Sequence, residues 1–262
     1  MKENTVYEGD NVVVMETFPD NCIDLTVTSP PYDEMRDYNG YKFDFKATAR
    51  ELFRVTKDGG RVVWIVGDQC KDFNESGTSF MQALYFKELG FKLNDTMIWN
   101  KGAEPTHNPS AMRYKQYFEY MFIFSKGNPK TYNEIKDVKN SLAGKTKTSQ
   151  FKRLPNGKKV ESAHSGKVVK YLKYQARSNV WKVKQSRKNN GHPAVFPESI
   201  AKDHIISWSN EGDVVLDPFA GSGTTLKVAK LNNRKYIGIE ISGEYCEIIN
   251  ERLDGFLPFV GD

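Results

Sequence analysis

The sequence predicts an α/β protein built on a doubly wound, mostly parallel sheet, interrupted once by an inserted basic module. Three observations carry this reading. Short apolar, β-branched runs alternate with helix-like stretches on both sides of the middle of the chain, the pattern of parallel strands joined by right-handed crossovers. Two turn-forming motifs, Thr28-Ser29-Pro30-Pro31-Tyr32 and Asp217-Pro218-Phe219-Ala220-Gly221-Ser222-Gly223-Thr224-Thr225, each end such a run. Between them, residues 126–188 hold eighteen Lys and Arg against Glu134, Asp137 and Glu161, a charge of +15. The whole chain carries only +5, so the remainder is −10. A basic block inside an acidic protein is the electrostatic footprint of a site for a polyanion.

The elements follow in order. Tyr7-Glu8-Gly9-Asp10 precedes a helical pattern through Val13, Val14, Met15 and Phe18, which leads into the apolar strand Ile23-Asp24-Leu25-Thr26-Val27. Residues 33–44 are polar and rich in Gly, Tyr and Asp, long enough for a lid. Residues 46–55 read as a helix with Leu52 and Val55 inward, stopped by Asp58-Gly59-Gly60. Arg61-Val62-Val63-Trp64-Ile65-Val66 is a buried strand. Residues 78–89 form a helix ended by Gly90, and 93–99 and 117–124 are strands. From there to Asn190 the apolar period fades. Phe151, Leu154, Tyr171, Leu172, Tyr174, Val180 and Trp181 suffice for a small satellite core. Order resumes with a helix carrying Ile200, His204, Ile205 and Trp208 on one face. A strand at 214–217, a helix at 224–231, a strand at 236–240 and a helix at 244–253 complete the chain. This divides it into a first half (1–125), an inserted region (126–190) and a second half (191–262).

The chain of 262 residues can bury a sizeable core. No apolar run is long enough to span a bilayer, and the start lacks a signal-peptide core, so a cytoplasmic, membrane-free protein is expected. Cys22, Cys70 and Cys246 lack metal-ligand spacing, which argues against a metal site.

The first motif stops its strand with two prolines, which cannot donate to a ladder. It then offers a hydroxyl at Ser29, carbonyls stiffened by the rings of Pro30 and Pro31, and the aromatic face of Tyr32. Those are acceptors for the N–H bonds of a planar amine, with a ring to stack on. The second motif leaves a strand and opens a helix, with Gly221 and Gly223 allowing a ligand close to bare backbone. Glu240 lies nineteen residues after Gly221, at the end of the next strand, where nucleotide-binding α/β folds place the acid that accepts from ribose hydroxyls. The loop has no lysine before Thr224, and Asp217 repels a pyrophosphate but attracts an ammonium. It suits a nucleoside with a zwitterionic tail, S-adenosylmethionine.

Together the two motifs resemble those of the amino-group DNA methyltransferases. Their order, catalytic motif first, basic insertion second and cofactor motif last, is similar to the β-type arrangement of that family. The resemblance implies a seven-stranded, Rossmann-like methyltransferase sheet, an S-adenosylmethionine donor, double-stranded DNA as partner and a flipped target base; it also makes a homodimer reasonable. It implies that Asp217, Pro218, Phe219, Gly221, Gly223 and Thr224 line the cofactor and that Glu240 takes the ribose. The segment His192-Pro193-Ala194-Val195-Phe196-Pro197 resembles the family's run beside the methionine end of the cofactor, through His192, Ala194 and Phe196. Gly9-Asp10 resembles a further cofactor-side element, through Asp10. The inserted region resembles the family's target-recognition region by position and composition.

In that family an Asp or Asn at the position of Ser29 goes mostly with adenine, and Ser mostly with the N4 amine of cytosine. Cytosine N4 is the expected target, with adenine N6 as the alternative and RNA or protein glutamine further behind. Methylation at the cytosine ring carbon needs a thiolate, which in its own family follows a proline; here Asn21, Gln69 and Tyr245 precede the cysteines.

Overall fold

The computed structural model describes residues 1–31, 43–102, 112–114, 116–148, 151–161, 168–184 and 196–255. Most of the stretch expected to form a lid, 33–42, lies outside the described residues. The chain divides into two compact units, Met1–Asn133 with Asn179–Asp262, and Glu134–Ser178.

The larger unit opens with β1 (Thr5–Glu8), α1 (Asn11–Glu16), β2 (Ile23–Thr28), α2 (Phe45–Val55) and β3 (Thr56–Val66). A two-residue hairpin pair, β4 (Cys70–Lys71) and β5 (Asn74–Glu75), precedes α3 (Thr78–Glu88), β6 (Phe91–Asn100) and β7 (Phe118–Lys126). The smaller unit holds β8 (Lys136–Lys139), β9 (Thr146–Thr148), β10 (Phe151–Arg153), β11 (Lys159–Glu161), β12 (Val168–Lys170) and β13 (Tyr174–Ala176). The larger unit resumes with β14 (Val180–Lys182), α4 (Glu198–Trp208), β15 (Val214–Asp217), α5 (Thr224–Leu231), β16 (Lys235–Glu240) and α6 (Gly243–Leu253).

The central sheet has the order β1-β16-β15-β2-β3-β7-β6-β14. Its pairs are parallel except for β3 with β7 and β6 with β7. The seven expected strands are thus joined by an eighth, three-residue edge strand, β14. Alternation along β3 sorts the core onto both faces. Val62, Trp64 and Val66 pack with Leu52, Phe86 and Phe124, under α2 and α3. Val63 and Ile65 pack with Ile200, Ile205 and Leu226, under α4 and α5. Two covered faces are what a doubly wound sheet requires. On α4, Trp208 Nε1 donates to His204 Nδ1 at 3.0 Å, and full burial pushes the His204 pKa down to about 3, so the ring stays neutral. No helix among the described residues is long and apolar enough to cross a membrane.

Two expectations need correction. Among the described residues the satellite core does not form: Phe151 is 62% and Leu172 66% exposed, while Trp181 belongs to the main core on β14. Its described strands pair two by two, and a two-stranded pair has no second layer to bury side chains against. The helix ends at Val55 as expected, but the residues expected to stop it, Asp58-Gly59-Gly60, lie within β3, which begins at Thr56. A Cβ at Gly60 would lie 2.9 Å from the Asp24 carbonyl, so glycine there permits close strand approach rather than a stop.

Candidate active site

The winding of the sheet reverses between β15 and β2. From β15 the chain proceeds to β16 on one side, and from β2 to β3 on the other. In open α/β sheets, ligands bind in the crevice outside the carboxyl ends of the strands at such a point. Both sequence motifs leave those ends, Ser29-Pro30-Pro31 after β2 and Pro218 to Gly223 after β15.

A buried hydrogen bond joins the two. The Thr28 hydroxyl donates to Asp217 Oδ1 at 2.7 Å, and the Phe219 N–H donates to the same oxygen at 3.1 Å. From the first turn of α5, the Thr225 hydroxyl donates to the Val27 carbonyl at 3.3 Å. Asp217 is 2% exposed. Burial pushes its pKa up to about 6, against the opposing pull of the bonds from Thr28, Thr225 and Phe219. Sequence reasoning gives Thr28 no role of its own. Its signal is a hydroxyl at the last position of an apolar strand, one residue before Ser29.

The glycine turn is built around Glu240. Gly221 and Gly223 have φ of +53° and +79°, the left-handed region that favours glycine. A Cβ at Gly223 would lie 2.9 Å from Ile249 Cγ2. The Gly221 N–H donates to Glu240 Oε2 at 2.8 Å and the Ser242 N–H to Oε1 at 3.0 Å. Each carboxylate oxygen has about two acceptor positions, so both can still accept from a ligand hydroxyl. Burial raises the Glu240 pKa, with the backbone N–H bonds opposing. Beside it, the Gly9 N–H donates to the Glu240 carbonyl at 2.9 Å. Asp10 caps α1, accepting from the Val12 and Val13 N–H groups at 2.8 and 3.1 Å.

The remaining expected residues divide as follows. Pro30, Pro218, Gly221, Gly223 and Thr224 are buried, while Ser29, Pro31 and Phe219 are half-buried. The Phe219 ring packs edge-on against Phe43, with centroids 5.1 Å apart. The Thr224 hydroxyl is buried with no hydrogen-bond partner among the described residues. Phe196 is buried in the core under α4 and α5. Tyr32, His192 and Ala194 lie outside the described residues.

An ionic cluster that the sequence did not disclose backs the glycine turn. Arg252 on α6 donates to the Ser222 carbonyl at 2.7 Å and to Glu198 Oε1 at 2.7 Å. Lys227 on α5 donates to the same Glu198 oxygen at 3.1 Å. Glu198 opens α4 two residues after Phe196, so one carboxylate ties the start of α4 to the back of the turn. These partners are 29 to 54 residues apart, beyond any local pattern.

The arrangement fits S-adenosylmethionine. Glu240 offers acceptors to a diol, and the buried Thr224 hydroxyl has hydrogen-bonding capacity to spare. Residues 23–251 match the N6/N4 methyltransferase family described as DNA methylase, and the chain belongs to that family: it is an S-adenosylmethionine-dependent DNA methyltransferase acting on exocyclic amines. Orphan methyltransferase M.BamHII of Bacillus amyloliquefaciens is 54% identical over 250 residues, covering 92% of this chain and 92% of that protein. A putative DNA modification methylase of Thermus thermophilus, TTHA0409, solved in complex with S-adenosyl-L-methionine, superposes with a TM-score of 0.63 at 26% identity, covering 97% of this chain and 96% of that one. PvuII DNA methyltransferase (cytosine-N4-specific) shares the fold, with a TM-score of 0.67 at 22% identity, covering 100% of this chain and 89% of that one.

Proposed function

We propose that the enzyme methylates the N4 amine of cytosine within a specific duplex sequence. The observation that carries this reading is Ser29, the residue next to the Thr28–Asp217 link, where an adenine enzyme of the resembling family mostly has Asp or Asn. Both bases present the same amine. The serine is the smaller acceptor.

The target base must leave the helix, because its amine is otherwise paired. Unstacking costs a few kcal/mol, roughly, which stacking and edge contacts in the pocket offset. Tyr32 stacks on the extruded ring. The Ser29 oxygen and the Pro30 carbonyl accept the two N–H bonds of the amine, and Pro31 keeps that carbonyl still. Holding both hydrogens turns the nitrogen lone pair outward, toward the carboxyl end of β15. S-adenosylmethionine, when bound, supplies an electrophilic methyl group on a sulfonium. Positioning of the amine provides much of the rate.

On the cofactor side, Glu240 accepts from the ribose hydroxyls. The loop formed by Pro218, Phe219, Gly221, Gly223 and Thr224 lines the nucleoside. Asp217 holds this loop to β2 and lends its charge to the ammonium end. Asp10, His192, Ala194 and Phe196 complete the surround. The +15 stretch disfavours a protein substrate and fits target recognition on a polyanion.

The test is direct. Duplex DNA of mixed sequence, incubated with enzyme and S-adenosylmethionine, is digested to nucleosides and analysed by mass spectrometry. N4-methylcytosine is expected. N6-methyladenine would move the reading to the adenine alternative, and a digest free of either would overturn it.

A further inference from the structure

The pairings inside Glu134–Ser178 are nested. β8 pairs with β13, β9 with β12 and β10 with β11, all antiparallel. Backbone bonds extend the ladder at Ile135, between β8–β13 and β9–β12, and beyond β10–β11. The Arg177 N–H donates to the Ile135 carbonyl at 3.3 Å, the Asn140 N–H to Lys173 at 3.0 Å, the Tyr171 N–H to Lys145 at 2.9 Å and the Leu154 N–H to Lys158 at 2.8 Å. Among the described residues, the chain therefore forms two lengths of two-stranded ribbon, an inner one pairing 135–148 with 168–177 and a tip pairing 151–154 with 158–161. Asn156-Gly157 closes it, with Gly157 at φ +81°.

Such a ribbon is marginal in water by itself, and its far end is built against its own stability. Arg153 lies directly opposite Lys159, with Lys152 and Lys158 alongside and Glu161 as the one acid between 151 and 161. Like charges facing each other across an antiparallel pair repel. In the other two pairings each lysine faces a neutral residue: Lys139 faces Tyr174, Lys136 faces Ala176, Lys147 faces Val169 and Lys170 faces Thr146. The repulsion is confined to the tip, where a polyanion would relieve it. Every residue of β10 and β11 is exposed.

The other described arginine of this unit is already engaged. Arg177 Nε donates to both Asp137 oxygens, at 2.8 and 3.0 Å, and its Nη2 also bonds Asp137. Arg153 has no such carboxylate partner among the described residues. A two-stranded ribbon is one of the few shapes that enters the major groove, where arginine reads guanine through O6 and N7.

We propose that the ribbon tip, residues 151–161, enters the major groove of duplex DNA, with Arg153 at the base edges and Lys152, Lys158 and Lys159 toward flanking phosphates. This rests on the reading of the enzyme as sequence-specific, and it assigns that specificity to a particular hairpin. The test uses the full chain on a randomised duplex library, with methylated sites read by sequencing. Arg153→Ala relaxes the choice of base at one position and slows the preferred site by about 10- to 100-fold relative to the others. Lys158→Ala weakens all sites alike and reduces the slope of log affinity against log salt by about 0.9. The proposal is overturned if a variant with all four cations replaced by alanine keeps the site choice and salt slope of the parent. A parent enzyme that methylates the library without site preference would instead overturn the reading of sequence specificity. S-adenosylmethionine affinity serves as the folding control and should not change; a parallel fall would also count against the tip acting on DNA.

Discussion

Ser29→Ala is expected to slow single-turnover methyl transfer by roughly 100-fold or more, and Tyr32→Ala by about 5- to 150-fold, while each leaves S-adenosylmethionine affinity within about threefold. The reasoning starts from what each group does. Ser29 follows the last residue of β2, and Pro30 is buried beside it, so the acceptor oxygens are fixed before the base arrives. Loss of one such preorganised group removes an interaction that matters most as the nitrogen becomes nucleophilic. In the proposed mechanism Tyr32 stacks on the flipped base, a contact worth about 1–3 kcal/mol for a single base, and its loss is expected to favour return of the base to the helix. Neither residue belongs to the cofactor half, so calorimetry with S-adenosylmethionine separates the roles. Turnover by either variant equal to that of the parent would remove the carbonyl-cage mechanism.

Glu240→Ala is expected to weaken S-adenosylmethionine binding by on the order of 100-fold, the largest loss from any single change on the cofactor side. The carboxylate holds two backbone donors, Gly221 and Ser242, and a buried donor left unmatched costs about 1–3 kcal/mol in the stability of the turn, with or without ligand. The ribose also loses charge-assisted acceptors, each about 1.5–3 kcal/mol. Glu240→Gln keeps one acceptor oxygen and should lose less. Acid has a related effect. Burial raises the pKa of Glu240, and that of Asp217 reaches about 6, so cofactor affinity should fall as pH drops through about 6 and the site loses negative charge. Asp217 acts on folding with the opposite sign. Its folded pKa lies above the unfolded value of 3.8, so its contribution to stability is complete below about pH 4 and is lost as pH rises through about 6. Isothermal titration between pH 5 and 8 separates the two. A flat affinity profile would contradict the role given to the carboxylates.

Much of this was legible because its cues are local. Asp217-Pro218 stops β15 and Gly223 opens α5, and both boundaries fall where the sequence puts them. Residues whose meaning depends on distant partners were not legible. Thr28 meets Asp217 across 189 positions, and the bonds from Arg252 to Ser222 and Glu198 join three separate elements. Gly60 reads as part of a helix stop until the Asp24 carbonyl is seen against it. The ribbon escaped notice because its strands are only three or four residues long and show no alternation of buried with exposed positions. Exposed aromatics such as Phe151 therefore looked like a core.

The account stands on the joining of the amine-holding loop to the cofactor loop at the ends of β2 and β15. A double-mutant cycle tests this most directly, with Thr28→Val, Asp217→Asn and the pair compared in single-turnover methyl transfer. The two residues are expected to act as one unit, so the double variant should be no slower than the slower single variant, a coupling of at least about 1 kcal/mol. Losses that simply multiply would mean that the two loops work independently, and the shared site would be contradicted.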